Sequence, residues 1–370
     1  MPRIKPQLTA ALLSLLFAAS ASADVLYLDD DAVNDPGPND PTLSDPIEDG
    51  SLAHPFDSVQ EALDAASSGD EIVLLDGIYS GPGNRDLRPG GKTLLIRGET
   101  SSANSVIDCE GQGRGFDLAG TLDVITLREL TIRNGAAVAG AGLRARSGAS
   151  LTLEGCIFVN NSARVHGGAL YCRDSFPIVQ RSRFSKNKAM GSHGGGIYAR
   201  GGALVLRNSL LDGNQSGVSG GGVYVDSCLA SIDGCTLSEN LAQGMGGAIA
   251  SDWSTTQIRG SVLWNDSAGL GIGPEVAIFH SSFGAAWCDV EGGFIGGASV
   301  LESAFGWASS NIDLDPLFLD PANGDYHLDA ASPCIDSGDP NFVATPGELD
   351  IDGQARVLST TVDRGADERE

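Results

Sequence analysis

The chain has 370 residues, 48 acids against 23 bases, a formal net charge of -25 and 50 glycines, so glycine is close to double its usual share of about 7%. So acidic a chain lacks the positive field that neutralises phosphates, which argues against a nucleic-acid partner, and glycine without an every-third-residue period excludes collagen. With 41% hydrophobic residues it can bury a sizeable core, and it reads as globular in one or two domains.

Residues 1–23 carry Arg3 and Lys5, an apolar run from Leu8 to Ala19, and the small residues Ala21-Ser22-Ala23 before Asp24. This is the pattern of a Sec-type signal peptide, and no later stretch is apolar enough to span a bilayer. The mature chain is therefore expected outside the cytoplasm, as a secreted, extracellular, periplasmic or cell-surface protein. Residues 24–90 read as an N-terminal cap. Within it, Asp29 to Asp49 is rich in Pro and Asp and is expected to be an exposed loop. Pro55 to Ala66 reads as a short amphipathic helix with Ser58 and Glu61 as a capping box and Val59, Ala62, Leu63 and Ala66 on one face. Such a helix would cover an open strand edge.

Residues 91–310 contain a phrase repeated every 26 or 27 residues. Its first apolar column is Leu127, Leu153, Val179, Leu206, Ile232 and Ile258, and its bulky column is Ile132, Phe158, Phe184, Leu211, Leu237 and Leu263. Both are expected to point inward. Asn161, Asn187, Asn214 and Asn240, with Asp266 in the last repeat, form a polar column expected to hydrogen-bond as an amide ladder. Each repeat also has a glycine phrase, as in Gly167-Gly168-Ala169-Leu170 and Gly194-Gly195-Gly196-Ile197. Short alternating segments broken by glycine turns cannot bury a face alone but can when stacked. The predicted fold is all-β, a right-handed parallel β-helix. The seven cysteines are an odd number; Cys156 and Cys235 stand three repeats apart, too far to join, so buried thiols are expected for most and no bridge is assigned.

The phrases Phe158-x-x-Asn161 with Gly167-Gly168-Ala169-Leu170, and Phe184-x-x-Asn187 with Gly194-Gly195-Gly196-Ile197, resemble the repeats of chlamydial polymorphic outer membrane proteins. More broadly, residues 51–370 resemble secreted bacterial proteins of the pectate-lyase-like β-helix superfamily. That resemblance implies the fold and leaves the activity open, because the superfamily holds lyases, hydrolases, epimerases and adhesins. The active-site motifs of pectate lyases, polygalacturonases and mannuronan epimerases are not found.

Residues 311–370 form a different, acidic module with Asp315-Pro316-Leu317-Phe318, Gly324-Asp325-Tyr326-His327-Leu328, Asp350-Ile351-Asp352-Gly353 and Asp363-Arg364-Gly365-Ala366-Asp367-Glu368. It resembles the C-terminal region of secreted β-helix proteins that carry a sorting anchor beyond it. Its aspartates invite calcium, but Thr361 stands where an EF-hand counted from Asp350 needs a Glu; solvated turns and Asx caps are the stronger expectation.

Function is sought in the outward columns. Arg128, Glu154, Gln180, Arg207, Asp233 and Arg259 read as a cross-strand ion ladder. The strand after the glycine phrase presents Arg144, Tyr171, Tyr198, Tyr224 and Ala250 in one column and Arg146, Arg173, Arg200, Asp226 and Asp252 in the next. Tyrosines beside arginines suit stacking on sugar faces and pairing with uronate or sulfate, although stacked coils also produce aromatic ladders with no ligand. Like charges in register want an anion, either a substrate or the chain's own carboxylates. His166 and His193 precede their glycines at equivalent positions and read as turn residues. Asp226 and Asp252 with Arg200 are the nearest approach to a catalytic set. The leading expectation is a monomeric extracellular binding or adhesion protein that takes polysaccharide or another surface component on the Tyr and Arg ribbon. The alternative is a lyase or hydrolase acting on acidic polysaccharide at the same ribbon, with calcium as the one cofactor considered.

Overall fold

The computed structural model describes residues 23–30, 48–294 and 298–369. The signal-peptide reading and most of the Asp29 to Asp49 loop fall outside the described residues.

One coil shows how the sequence folds. The strand Leu170–Gln180 alternates inward and outward side chains, with Leu170, Cys172 and Val179 buried. The chain then bends at Arg181, forms the short strand Arg183–Ser185 around the inward Phe184, and bends again at Lys186. Asn187 turns inward, Lys188–Ala189 adds a last strand, and the glycine loop leads into Ile197–Arg207 one coil on. The bends at Asp174, Arg181 and Lys186 have φ of 51°, 49° and 56°. A left-handed residue costs roughly 1–2 kcal/mol outside glycine, so such corners persist only because the stacked coils on either side hold them.

Stacking is parallel and in register, which makes four faces: a front sheet containing Leu170 to Arg173, a side sheet containing Ile178 to Gln180, a back sheet of nine strands from Gly77–Tyr79 to Asp289–Val290, and a narrow sheet of six, counted among the described residues. Both apolar columns stand as expected: Leu153 pairs with Leu127 and Val179, and Phe158 with Ile132 and Phe184. All six are buried, and the Phe158 and Phe184 rings stack at 5.1 Å. The asparagine ladder forms as well. Each Nδ2 donates to the Oδ1 of the next coil at 3.1, 3.0 and 2.9 Å from Asn161 through Asn240, and Asn240 donates to Asp266 at 2.8 Å.

Two more ladders run inside the corners. Cys156 N–H donates to Ser182 Oγ, Ser182 N–H to Ser209 Oγ, and Cys228 N–H to Ser254 Oγ. Cysteine thus stands where serine would, and all seven cysteines are free and buried. Burial pushes the Cys156 thiol up to about 12, so it is inert packing. In the glycine phrase coils touch backbone to backbone: a Cβ on Gly168 would lie 2.2 Å from the Gly195 carbonyl oxygen.

The N-terminal helix is α1 (Val59–Ala65), shorter than Pro55 to Ala66, with Ser58 Oγ accepting from Glu61 N–H. Its Val59, Ala62 and Leu63 continue the main core. Coil stacking starts before residue 91, because Val25–Leu28 pairs with Glu71–Leu74, which pairs with Thr93–Gly98.

At the other end the tail folds back over the back sheet instead of standing apart. Arg183 donates to Gly324 O, Gly365 N–H to Gly260 O, Ala366 N–H to Thr236 Oγ1 and Arg364 to Cys288 O. Arg356, 2% exposed, joins Asn208 of the coil to Glu368, its Nη1 lying 2.6 Å from the carboxylate. The expectation of solvated acidic turns is therefore corrected. Asp350, Asp363, Asp367 and Glu368 are buried, because they bind the backbone of the segments they join. The Asx part of that expectation stands: Asp350 Oδ1 accepts the N–H groups of Asp352 and Gln354.

Candidate functional site

The front sheet carries the expected columns in the expected register, Arg144 beside Tyr171, Tyr198, Tyr224 and Ala250, and Arg146 beside Arg173, Arg200, Asp226 and Asp252. Its tyrosine half is not open. The rings of Tyr171, Tyr198 and Tyr224 stack at 5.2 and 5.5 Å, and the turn before the glycines folds over them. His166 lies 4.4 Å from Tyr198 and His193 4.2 Å from Tyr224. Tyr198 and Tyr224 are only 3% and 7% exposed. For Tyr198 and Tyr224 the reading as sugar-stacking faces is corrected for this reason, and the two histidines acquire a packing role. Burial, with His166 nearby, drops the His193 imidazole to about 4, so it stacks uncharged at neutral pH.

The arginine half divides. Arg144 makes a two-pronged pair with Asp117 at 2.8 and 2.6 Å, which Arg146 also approaches at 3.8 Å. Their anion is internal. Arg173 and Arg200 stay open, with side chains 58% and 55% exposed, each leaning on one carboxylate, Asp174 at 3.4 Å and Asp226 at 3.2 Å. Of the catalytic candidates, Asp226 takes Arg200 and the Ser227 hydroxyl. Asp252 takes Tyr224 and His280 instead.

The accessible aromatic surface lies one position further along the chain, in the corner between front and side sheets. That corner column is Asp174, Gly201, Ser227, Trp253, His280 and Glu302, all with positive φ. Trp253 is 64% exposed and stacks flat on His280, the centroids 4.4 Å apart and the rings 6° from parallel. His280 Nδ1 faces Asp252 Oδ1 at 3.3 Å and its Nε2 faces Glu302 Oε2 at 3.4 Å. On the side-sheet edge of the same corner, Phe176 and Leu229 are exposed. An amphipathic ribbon therefore exists, made of Arg173, Arg200, Asp226 and Asp252 with Phe176, Leu229 and Trp253. Trp253 stands one column beyond Arg173 and Arg200 in the repeat, and Phe176 and Leu229 stand two columns further.

The outward column of the side sheet forms the expected ion ladder in part: Arg128 meets Glu154 at 2.9 Å and Arg207 meets Asp233 at 4.0 Å. Neutral Gln180 interrupts it, and Arg181 from the corner supplies the missing cation, 3.0 Å from Glu129 and 3.5 Å from Glu154.

A second candidate region lies where the tail meets the coil. A cavity of about 420 Å³ is lined by Arg181 and Arg183 from the coil and by Tyr326, His327, Asp352 and Asp367 from the tail. His327 Nδ1 is 2.5 Å from Asp325 Oδ1, and Nε2 is 2.6 Å from Asp352 Oδ2. Burial disfavours the imidazolium, but these two carboxylates outweigh it and lift the group to about 9. Among the described residues, two groups of His, Asp or Glu have ligand atoms within 4.8 Å of one another: His327 with Asp352 and Asp367, and Glu48 with Asp57 and Glu61. Neither includes Asp226 or Asp252. No spacing rule points to the His327 group, because its members come from three separate segments of an aperiodic tail.

Known proteins add evidence on the fold. The family model described as the right handed beta helix region matches residues 102–277. No curated protein matches the chain. A solved pectate lyase is similar at 15% identity over 95% of this chain and 97% of its own, with a TM-score of 0.44. A rhamnogalacturonan lyase is similar at 11% over 80% and 91%, with a TM-score of 0.47. An alginate lyase from Paenibacillus sp. is similar at 13% over 69% and 96%, with a TM-score of 0.35. Parallel connections are right-handed in nearly all cases. With the in-register stack of parallel coils and the matched region, the chain is a right-handed parallel β-helix.

Proposed function

We propose that this is an exported protein that binds acidic polysaccharide along the corner ribbon of the β-helix. One observation carries the reading: Trp253, exposed and braced flat against His280, lies in the column next to that of the exposed Arg173 and Arg200 and of Asp226 and Asp252. An indole face stacks on the apolar face of a sugar ring, and guanidinium groups pair with uronate or sulfate. The ribbon is an open surface crossing several coils, which suits a polymer better than a small molecule, since small ligands favour concave sites. Export rests on the leader pattern of residues 1–23.

Retention of the mature protein on immobilised acidic and neutral polysaccharides tests this. Trp253→Ala and the Arg173→Ala, Arg200→Ala double variant should each weaken retention about tenfold, and salt should weaken it further. Arg128→Ala on the side sheet should leave it unchanged. Retention untouched by the ribbon variants would sink the proposal.

A second reading has one specific observation in its favour. His280 held between Asp252 and Glu302 beside Trp253 could transfer protons in a lyase or hydrolase. New reducing ends or unsaturated-uronate absorbance, abolished by Asp252→Asn while retention survives, would establish that reading.

A further inference from the structure

We propose that His327, Asp352 and Asp367 form a binding site for one divalent metal ion of the zinc class, which fastens together three separate segments of the tail. The three residues come from the strand Asp325–Leu328, the turn after Asp350 and the end of the described chain. Their ligand atoms nevertheless converge within 4.8 Å.

Three features favour a metal over a plain ion pair. First, Asp325 holds Nδ1 of His327 at 2.5 Å and so aims Nε2 at Asp352. A carboxylate on the far nitrogen is the usual support of a metal-ligating imidazole, fixing its tautomer and orientation. Second, Asp367 is only 8% exposed and is anchored where it stands by Leu328 N–H, so this ligand would be preorganised. Third, the charges do not close. Asp325, Asp352 and Asp367 surround one imidazole, and even an imidazolium offsets only one of the three carboxylates. Of the arginines nearby, Arg181 pairs with Glu129 and Glu154 and Arg183 with Asp212, while Arg369 donates to the Leu328 carbonyl beside the cluster and offsets at most one further carboxylate. A dication supplies the missing charge.

The donor set selects the metal. Calcium takes six to eight oxygens and has little use for imidazole, whereas one nitrogen and two carboxylates suit zinc and leave a coordination position for water or a ligand. The three residues line the same cavity as Arg181 and Arg183.

The test uses the full mature chain, free of any histidine tag and stripped with chelator. Zinc chloride is titrated in by calorimetry, and bound metal is counted by atomic emission after desalting. One equivalent of zinc is expected, with a rise in melting temperature. His327→Gln and Asp352→Asn should each cut affinity at least about 100-fold, and Asp325→Asn about 10- to 100-fold. Asp339→Asn, a carboxylate of the same tail outside the cluster, should change nothing. Circular dichroism of the coil confirms that each variant is folded. No saturable zinc uptake, saturation by calcium in preference to zinc, or full uptake by the His327→Gln, Asp352→Asn double variant would overturn the site.

Discussion

In the coil stack an inward side chain meets its own kind one coil away, Asn187 on Asn214 and Phe158 on Phe184. In the tail each buried polar group meets an unlike partner once, as Arg356 does with Asn208, Glu368 and the carbonyl of Gly365. A periodic region spreads its stability over many equal small contacts, so losing one leaves its neighbours in place. The aperiodic tail gathers several segments on a single side chain, and its loss strands every partner. The two regions should therefore answer mutation differently.

The largest effect is expected at Arg356. Its replacement by alanine leaves Glu368 buried without its cation, which costs about 3–5 kcal/mol when one partner of a buried pair is removed. Denaturant unfolding should show an early step for the tail, and limited proteolysis should release it while the coil survives. A loss below about 1 kcal/mol would erase the contrast between the regions.

Next comes the middle of the amide ladder. Asn214→Ala removes the partners of Asn187 and Asn240 and should cost about 1–3 kcal/mol, the usual penalty for leaving buried polar groups unmet. A cost exceeding that of Arg356→Ala would show that the periodic region does not share its load.

A smaller and oppositely signed effect is expected where the ladder ends. The backbone N–H of Asp266 donates to Glu275 Oε1 at 3.2 Å, both side chains are buried, and burial raises both carboxyls, Asp266 to about 7 and Glu275 well above its ordinary value. Folded protein thus holds protons that the unfolded chain has released. Stability contributed by the pair is complete below about pH 4 and falls as pH rises to about 7 and beyond. Asp266→Asn continues the ladder without the charge. It should gain on the order of 1 kcal/mol at neutral pH and nothing at pH 4, read from melting temperatures across that range. A gain independent of pH would contradict the raised carboxyls as its cause.

The smallest effect belongs to the exposed ladder on the side sheet. Arg128→Ala breaks a half-exposed pair with Glu154 and should cost less than about 1 kcal/mol, shrinking further in salt.

Much of this was legible from residue order because a repeat of 26 or 27 residues states its own stacking. Once Leu127, Leu153 and Val179 are recognised as one column, parity assigns every neighbouring position to the inside or the outside. The apolar columns, the amide ladder, the buried thiols and the register of the Arg and Tyr columns all follow from that step. Parity cannot say what lies on top of an outward column. Tyr198 and Tyr224 do point out of the sheet, but the turn carrying His166 and His193 crosses over them. Parity does not single out Trp253 and His280 either, because corner residues vary from coil to coil and look like ordinary turn positions.

The sequence by itself therefore determined the solenoid, because hydrophobic period and stacking register are one-dimensional properties of a repeating chain. Only the tertiary structure decided which outward residues stay accessible and that the tail returns to the back sheet. It alone brings His327 to Asp352 and Asp367. Those outcomes depend on where unique, non-repeating segments land, through contacts between residues far apart in the chain such as Arg356 and Asn208, and no local pattern encodes such a meeting.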